Sequence, residues 1–155
     1  MSSPERFSVH QKPAWRDRAD FILNARLPEA GHFEQLWSRR VSDETFELCC
    51  IPFFLYDVAL GDIVRTKRFE GYRYLLDEVV ETSGHYVFRA HFGRSSTIHK
   101  EVGERLTEMG AAMEWSSATL LAIDALDFPH AQQIGDFLNE RADLGQLVFE
   151  TGKTG

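Results

Sequence analysis

The chain has little cysteine, and the two that it has are neighbours. Cys49 and Cys50 stand in a sequence of 155 residues. A disulfide between adjacent strand residues would be strained because their side chains point to opposite faces. Two adjacent thiols also lack the spacing of a zinc site. Cys50 shares its alternating face with Phe46 and Leu48 and is predicted to be a core thiol, whereas Cys49 faces the other way with Glu47.

Long apolar runs are missing as well. No stretch approaches the roughly 20 apolar residues of a membrane helix, and the first six residues contain no run of signal-peptide length. These absences predict a cytoplasmic protein without membrane contact. The 17 basic residues are outnumbered by 24 acidic ones, which gives a formal charge of −7. Because phosphate backbones require clustered Lys and Arg, nucleic acid is not expected as a partner.

Motifs of known chemistry are absent too. The six histidines are scattered, and no pair has metal-site spacing with a third ligand nearby. The tail 151–155 contains Gly-Lys-Thr, but the upstream glycine of a P-loop is missing and no helix can follow. Cys50 could act with a distant histidine only if its thiol were exposed. No metal and no cofactor are predicted, and catalysis is not favoured, although a site assembled only in space stays open.

Hydrophobic residues make up 43% of the chain and include 12 phenylalanines, which is enough for a packed interior. Residues 1–19 have little periodicity and predict a flexible arm, pinned by Trp15. Pro52 lacks an N–H group, so the strand expected at 45–54 should form a sheet edge or a bulge at that residue. Residues 20–83 predict a curled antiparallel sheet or partial barrel. Its strands are expected at 21–27, 33–41, 45–54, 63–66 and 72–81, with a helix as the competing interpretation of 72–80.

Residues 84–150 predict the order β-α-β-β-α-β. Strands are expected at 85–92, 111–116, 119–125 and 147–149. Ser96 or Thr97 would cap the first helix, and Asp127 the second. This order is the ferredoxin-like split unit, with both helices on one face of a four-stranded antiparallel sheet. The predicted fold class is therefore α+β, a half-barrel packed on a ferredoxin-like unit, with residues 151–155 as a frayed tail.

Four motifs carry a resemblance to a family. They are the strand around Trp37, Ile51-Pro-Phe-Phe54 with Tyr56, Gly61-Asp-Ile-Val64, and Ser83-Gly-His85 followed by Arg89. With these motifs the chain resembles an uncharacterised bacterial family, the domain of unknown function family numbered 4265, over roughly residues 33–92. Asp57-Val58 departs from the small or glycine residue expected there. The resemblance implies the architecture and brings no activity with it.

One strand face groups His85, Arg89 and His91. An exposed face of this kind could bind a carboxylate or phosphate, with Arg89 as a bidentate donor. The alternative is that these side chains bridge the two halves through hydrogen bonds and an ion pair of Arg89. A lone histidine becomes a catalyst or switch only beside a group that perturbs it, which favours the bridging role.

The loop that follows this strand is a weaker candidate for anion binding. Arg94, Ser95 and Ser96 stand before a predicted helix N-terminus, where backbone amides favour an anion. Helix capping explains the hydroxyls as well. Gly61 and Asp62 form a predicted turn, in which the Asp62 carboxylate accepts backbone amides in preference to acting as a general base.

The leading functional hypothesis is a non-catalytic protein-binding module, such as an acidic immunity protein that neutralises a basic toxin. It predicts an exposed acidic surface that includes Asp43, Glu44, Glu47 and Glu70. The alternative is a sensor of an amino-acid-like or anionic small molecule, with the ligand on the ferredoxin-like half and dimerisation through its sheets or helices. A homodimer is thus the second partner expected from the sequence.

Overall fold

The first half of the chain is a curled sheet that closes on itself. The computed structural model describes residues 4–94 and 97–155. The sheet order is β1-β3-β2-β6-β5-β4, and β3 also pairs with β4. Strands β2 to β6 therefore form a ring, and β1 lies parallel to β3 outside it. The strands are β1 (Arg6–Ser8), β2 (Phe21–Arg26), β3 (His32–Arg40), β4 (Thr45–Leu48), β5 (Ile63–Phe69) and β6 (Tyr72–Glu81).

Side-chain alternation fills the ring with apolar residues. Along β4, Phe46 and Leu48 are buried while Thr45 and Glu47 are half-buried, as expected when one face of a strand packs on a core. Leu23, Leu36 and Val64 join this core from the neighbouring strands. The curled sheet is confirmed, and residues 72–81 form a strand and not the competing helix.

The strand predicted at 45–54 is wrong in its second half. Strand β4 ends at Leu48, and residues 49–53 are buried without belonging to a strand. Pro52 has no N–H for a sheet ladder. The amide groups of Ile51, Phe53 and Phe54 donate to glutamate side chains instead. Carboxylates therefore replace a neighbouring strand along this segment.

The second half is a four-stranded sheet with two helices. The strand order is β10-β7-β9-β8, and every neighbouring pair is antiparallel. Phe88 and Ala90 of β7 pack with Leu106 of α1 and Ile134 of α2 in one apolar core. The elements are β7 (Tyr86–His91), α1 (His99–Glu108), β8 (Ala112–Ser117), β9 (Leu120–Ala125), α2 (Phe128–Asp143) and β10 (Val148–Lys153). No helix within 4–94 and 97–155 is long and apolar enough to cross a membrane.

The predicted helix caps have different outcomes. Asp127 caps α2 as expected, because its Oδ1 accepts a hydrogen bond of 3.0 Å from the His130 amide. Helix α1 begins at His99, and Ile98 stands at its N-cap position, so the prediction of Thr97 as the N-cap is wrong. Ser96, the other predicted cap, lies outside the described residues.

Both ends of the chain are held more firmly than their sequences suggest. The arm predicted to be flexible contains β1 and a buried His10. The tail predicted to fray continues β10 as far as Lys153, whose side chain is buried. Polar contacts hold both segments, and such contacts leave no hydrophobic periodicity to read in the sequence.

An apolar cluster joins the two halves. Ile51, Phe53 and Leu60 of the first half pack with Val87 and Ala122 of the second. Trp15 of the arm lies against the same cluster. The halves therefore share a core, which fixes the residues of one relative to those of the other.

Candidate functional site

His10 lies between two buried carboxylates. Its Nδ1 is 2.6 Å from Glu114 Oε1, and its Nε2 is 2.7 Å from Glu34 Oε2. The imidazole also stacks on Phe53, with ring centroids 4.1 Å apart. Glu34 belongs to β3 of the first half and Glu114 to β8 of the second. The arm thus connects both halves through one side chain.

The two carboxylates keep His10 charged. Burial lowers the pKa of His10, but contact with Cys50 and hydrogen bonds to Glu114 and Glu34 raise the pKa to about 12. An imidazolium can donate from both ring nitrogens, which matches a carboxylate at each. Burial raises the pKa of the neighbouring Cys50 thiol, and it raises the pKa of Cys49 to about 12. Both thiols are therefore protonated and unreactive at neutral pH.

The same carboxylates organise the segment that follows Cys50. Glu114 Oε2 accepts from the Ile51 amide at 2.5 Å, and Glu34 Oε2 accepts from the Phe53 amide at 2.8 Å. Glu34 Oε1 accepts from the Phe54 amide at 3.0 Å. Both charges are thus hydrogen-bonded as well as paired, as burial requires. This cluster is closed to ligands and has a structural role.

A second polar group at the junction contains His85 and Asp62. His85 Nδ1 is 2.9 Å from both oxygens of Asp124, and this hydrogen bond raises the pKa of His85. Asp62 accepts from the amides of Ala59 and Ser83 at 2.9 and 2.8 Å, and Gly61 before it has a φ of 85°. Asp62 therefore has the geometry of a structural turn, with Lys153 as an ion-pair partner at 2.6 Å.

Arg89 is buried at the junction and is not exposed on a platform. Its side chain is 1% exposed, and its Nη1 donates to the carbonyl oxygen of Leu55 at 2.8 Å. Its Nε donates to Glu150 at 3.1 Å, and its guanidinium lies 4.6 Å from the centre of the Tyr56 ring. These contacts match the bridging alternative, since Leu55 and Glu150 belong to different halves.

The other residues predicted for that ligand site do not assemble around Arg89. His85 is engaged with Asp124, and His91 is exposed at the end of β7. Arg94 is also exposed. Ser95 and Ser96 lie outside the described residues. Two of the three positions on this strand face are therefore occupied, because Arg89 contacts Leu55 of the first half and His85 pairs with Asp124 within the second half.

The predicted acidic surface is mixed with cations. Glu47 is half-buried and pairs with Arg18 at 2.5 Å and Arg39 at 3.2 Å. Burial raises the pKa of Glu47, but the hydrogen bonds to Arg39 and Arg18 outweigh it and lower the pKa. Asp43 and Glu44 are exposed in the turn before β4. Exposed Glu70, with a φ of 51°, lies in the turn between β5 and β6.

Asp43 and Glu44 line an open cavity of about 400 Å³, which we call the charged groove. Its cations come from the end of β3 and from the hairpin of β5 and β6. Arg40 hydrogen-bonds the carbonyl oxygen of Asp43 at 3.1 Å and the Tyr74 hydroxyl at 3.3 Å. The full lining is Arg40, Asp43, Glu44, Thr66, Lys67, Arg68, Arg73 and Tyr74.

Among the described residues, none of the three arginines of the charged groove has a carboxylate partner, and Arg40 donates to the carbonyl oxygens of Ser42 and Asp43 instead. Arg68 is exposed, and Arg73 lies over the Tyr74 ring, 5.3 Å from its centre. Lys67 has a carboxylate neighbour, Asp77, at 3.5 Å. A guanidinium held by a ring keeps its N–H groups available for an anion. Across 4–94 and 97–155, no group of three His, Cys, Asp or Glu is arranged to hold a metal.

Comparison with known proteins identifies the family. The model of the family described as Domain of unknown function (DUF4265) matches residues 34–149. The chain belongs to the DUF4265 family. The matched part includes Glu34, Glu114 and the charged groove and begins after His10. No curated protein matches the chain.

A solved structure shares the fold of this DUF4265 chain. It is described as a novel crystal structure of a hypothetical protein from Neisseria gonorrhoeae. The TM-score is 0.73 at 18% identity, and the match covers 86% of this chain and 94% of that one. The mixed fold of two sheets and two helices is therefore found in an experimental structure.

Sequence reasoning missed both the buried cluster and the charged groove. Glu114 stands between Met113 and Trp115 in a strand, where a lone carboxylate among apolar residues signals a buried pair. No comparable signal identifies His10 as its partner, because the two are 104 positions apart. The charged groove is assembled from residues 40–44, 66–68 and 73–74, which meet only after the sheet curls.

Proposed function

We propose that this DUF4265 chain is a non-catalytic binding module whose charged groove takes a small ligand through a carboxylate or phosphate group of that ligand. The observation that carries the proposal is the pair Arg68 and Arg73, which face one cavity without a carboxylate partner among the described residues. A volume of about 400 Å³ lies in the range of small-molecule sites. The buried or half-buried histidines of the junction, His10 and His85, do not line this cavity.

This proposal keeps the small-molecule hypothesis and moves its site. The buried Arg89 is committed to Glu150 and Leu55, whereas the cations of the charged groove are accessible. The strand order β10-β7-β9-β8 supports the ferredoxin-like interpretation of the second half. That half then serves as the scaffold on which the ligand-binding barrel is fixed.

The geometry supports a basic toxin as partner less well. Such a partner requires carboxylates that are free to pair with it, and Glu47 is already paired with Arg18 and Arg39. Asp43 and Glu44 share their cavity with four cations. The predicted acidic residues therefore do not form a surface of one sign, which steering of a basic protein needs.

The experiment is a thermal-shift screen with small carboxylates and phosphates at constant ionic strength. A ligand that binds only the folded state raises the melting temperature, because it stabilises that state by RT ln(1 + [L]/Kd). We expect succinate, citrate or pyrophosphate to stabilise the wild type, and the variant R68A/R73A to lose at least half of that shift. The matched control is Arg94→Ala, which removes an exposed arginine outside the charged groove. Equal shifts in wild type and R68A/R73A would overturn the proposal.

A further inference from the structure

The carboxylates of the charged groove come from a turn whose backbone is fixed. The amide of Thr66 donates to the carbonyl oxygen of Glu44 at 2.8 Å, and Arg40 Nη2 donates to that of Asp43 at 3.1 Å. The hydroxyls of Ser42 and Thr45 are 2.5 Å apart within the same turn. These bonds use main-chain and hydroxyl oxygens, and Asp43 and Glu44 are exposed. The turn therefore presents two negative charges from a firm base.

The unpaired cations of the charged groove come from a different element. Arg68 lies near the end of β5 and Arg73 near the start of β6. Among the residues that the structure describes, no ion pair within 4.0 Å joins Asp43 or Glu44 to Arg68 or Arg73. Charges of both signs thus line one cavity without neutralising each other by direct contact. A ligand that carries both charges can satisfy the two sets at once.

We infer that the ligand of the charged groove is a zwitterion, with an ammonium group received by Asp43 and Glu44 and a carboxylate received by Arg68 and Arg73. This inference rests on the proposed function and names the ligand class of the same site. Carboxylates accept from an ammonium, and arginine donates in a fork that fits a carboxylate. A ligand with negative charge alone would be attracted by the arginines and repelled by the turn. Amino acids are therefore the class that the charge pattern fits.

The test compares amino acids with analogues that have lost one charge. The charge separation in the ligand is unknown, so three amino acids of increasing length serve as probes: glycine, 4-aminobutyrate and 6-aminohexanoate. Each is titrated into the protein, and NMR chemical shifts of the protein monitor binding. Acetate, butyrate and hexanoate are the matched acids without the ammonium. We expect one amino acid to bind about two- to fivefold more tightly than its acid, the size of an exposed ion pair. Shifts should concentrate at residues 43–44, 66–68 and 73–74.

Two variants assign the charges. D43N/E44Q keeps the shape of the turn. It should lower the affinity for the amino acid to that for the matched acid, and the affinity for the acid itself should not fall. R68A/R73A should weaken both. All four positions are exposed, so folding should be retained, and circular dichroism verifies this.

The outcomes separate the two proposals. Equal affinity for each amino acid and its acid, with both lost in R68A/R73A, would overturn the zwitterion inference and leave the anion site standing. The same holds if D43N/E44Q leaves the preference for the amino acid unchanged. Absence of any binding, including by the succinate, citrate and pyrophosphate of the thermal screen, would overturn both.

Discussion

His10 Nδ1 lies 2.6 Å from Glu114 Oε1, which ties the start of the chain to the edge strand of the second sheet. Removal of one partner from a buried ion pair costs about 3–5 kcal/mol because the other charge is left uncompensated. We expect His10→Ala to lower the free energy of unfolding by about that amount. Glu114→Ala leaves His10 paired with Glu34 but removes the acceptor of His10 Nδ1 and of the Ile51 amide, so we expect a loss of about 1–3 kcal/mol for each unsatisfied donor. Urea denaturation measures the loss, and exposed His91→Ala should change it by less than about 0.5 kcal/mol. Losses below about 1 kcal/mol at both positions would contradict the structural role of the pair.

The charge on His10 also predicts a dependence of stability on pH. Its pKa in the folded protein is about 12, above the value near 6.5 of an unfolded chain. The stabilisation is therefore complete below about pH 6.5 and declines as the pH rises toward the folded pKa. We expect the free energy of unfolding to fall between pH 7 and 8.5, by up to about 1.4 kcal/mol per pH unit for this one group.

His85 contributes with the same sign, because its pKa is raised by Asp124. Buried Cys49 and Cys50 have raised pKa values as well, and they add to the decline from about pH 8 upward, because the thiols of an unfolded chain ionise near pH 8.5. Measurements below about pH 7.5 therefore report mainly on the histidines. The control is the variant H10Q/H85Q. If its free energy of unfolding fell with pH as steeply as that of the wild type, other groups would be the cause of the pH dependence.

Lys153 should be essential for stability. Its Nζ lies 2.6 Å from Asp62 Oδ2, and Asp62 has no exposed surface. Lys153→Ala leaves that carboxylate without its counter-ion, so we expect a loss of about 3–5 kcal/mol. Lys12→Ala removes an exposed lysine and serves as the control. If truncation after residue 152 left the melting temperature unchanged, the end of β10 would be frayed as the sequence suggested.

Gly61 is constrained both by its backbone conformation and by close neighbours, whereas Gly110 has the backbone constraint alone. Its φ of 85° is a left-handed conformation, and an added Cβ would lie 3.1 Å from the Trp15 ring and 3.0 Å from Ser83 Cβ. Gly110 has a φ of 80° with nothing within 4 Å of an added Cβ. We expect Gly110→Ala to cost about 1–2 kcal/mol for the backbone alone and Gly61→Ala to cost more. Thermal unfolding of both variants measures the two losses of stability. Equal losses would show that Trp15 moves aside freely.

Elements with clean periodicity could be predicted from the sequence. The alternation of Phe88 and Ala90 places β7 on the helices, and Asp127 before Pro129 marks the start of α2. A two-residue period reports which face of a strand is buried, and a capping side chain acts on its own first turn. Both signals are local, so one sequence suffices to read them.

Contacts between distant polar residues could not be predicted in the same way. Arg89 and His91 have the same place in the alternation of β7, yet Arg89 is buried and His91 is exposed. The difference depends on Glu150 and Leu55, which approach only in the folded chain. Arg68 and Asp43 likewise look like ordinary surface charges in the sequence. Their shared cavity depends on the curl that brings β5 beside the turn before β4.

The placement of His10 between Glu34 and Glu114 also limits how such a chain can change during evolution. Recombination that exchanged the second half for an unrelated one would remove the carboxylate that accepts from His10 Nδ1. The amide of Ile51 would lose its acceptor in the same event. A replacement for the second half must therefore supply an acceptor at the position of Glu114.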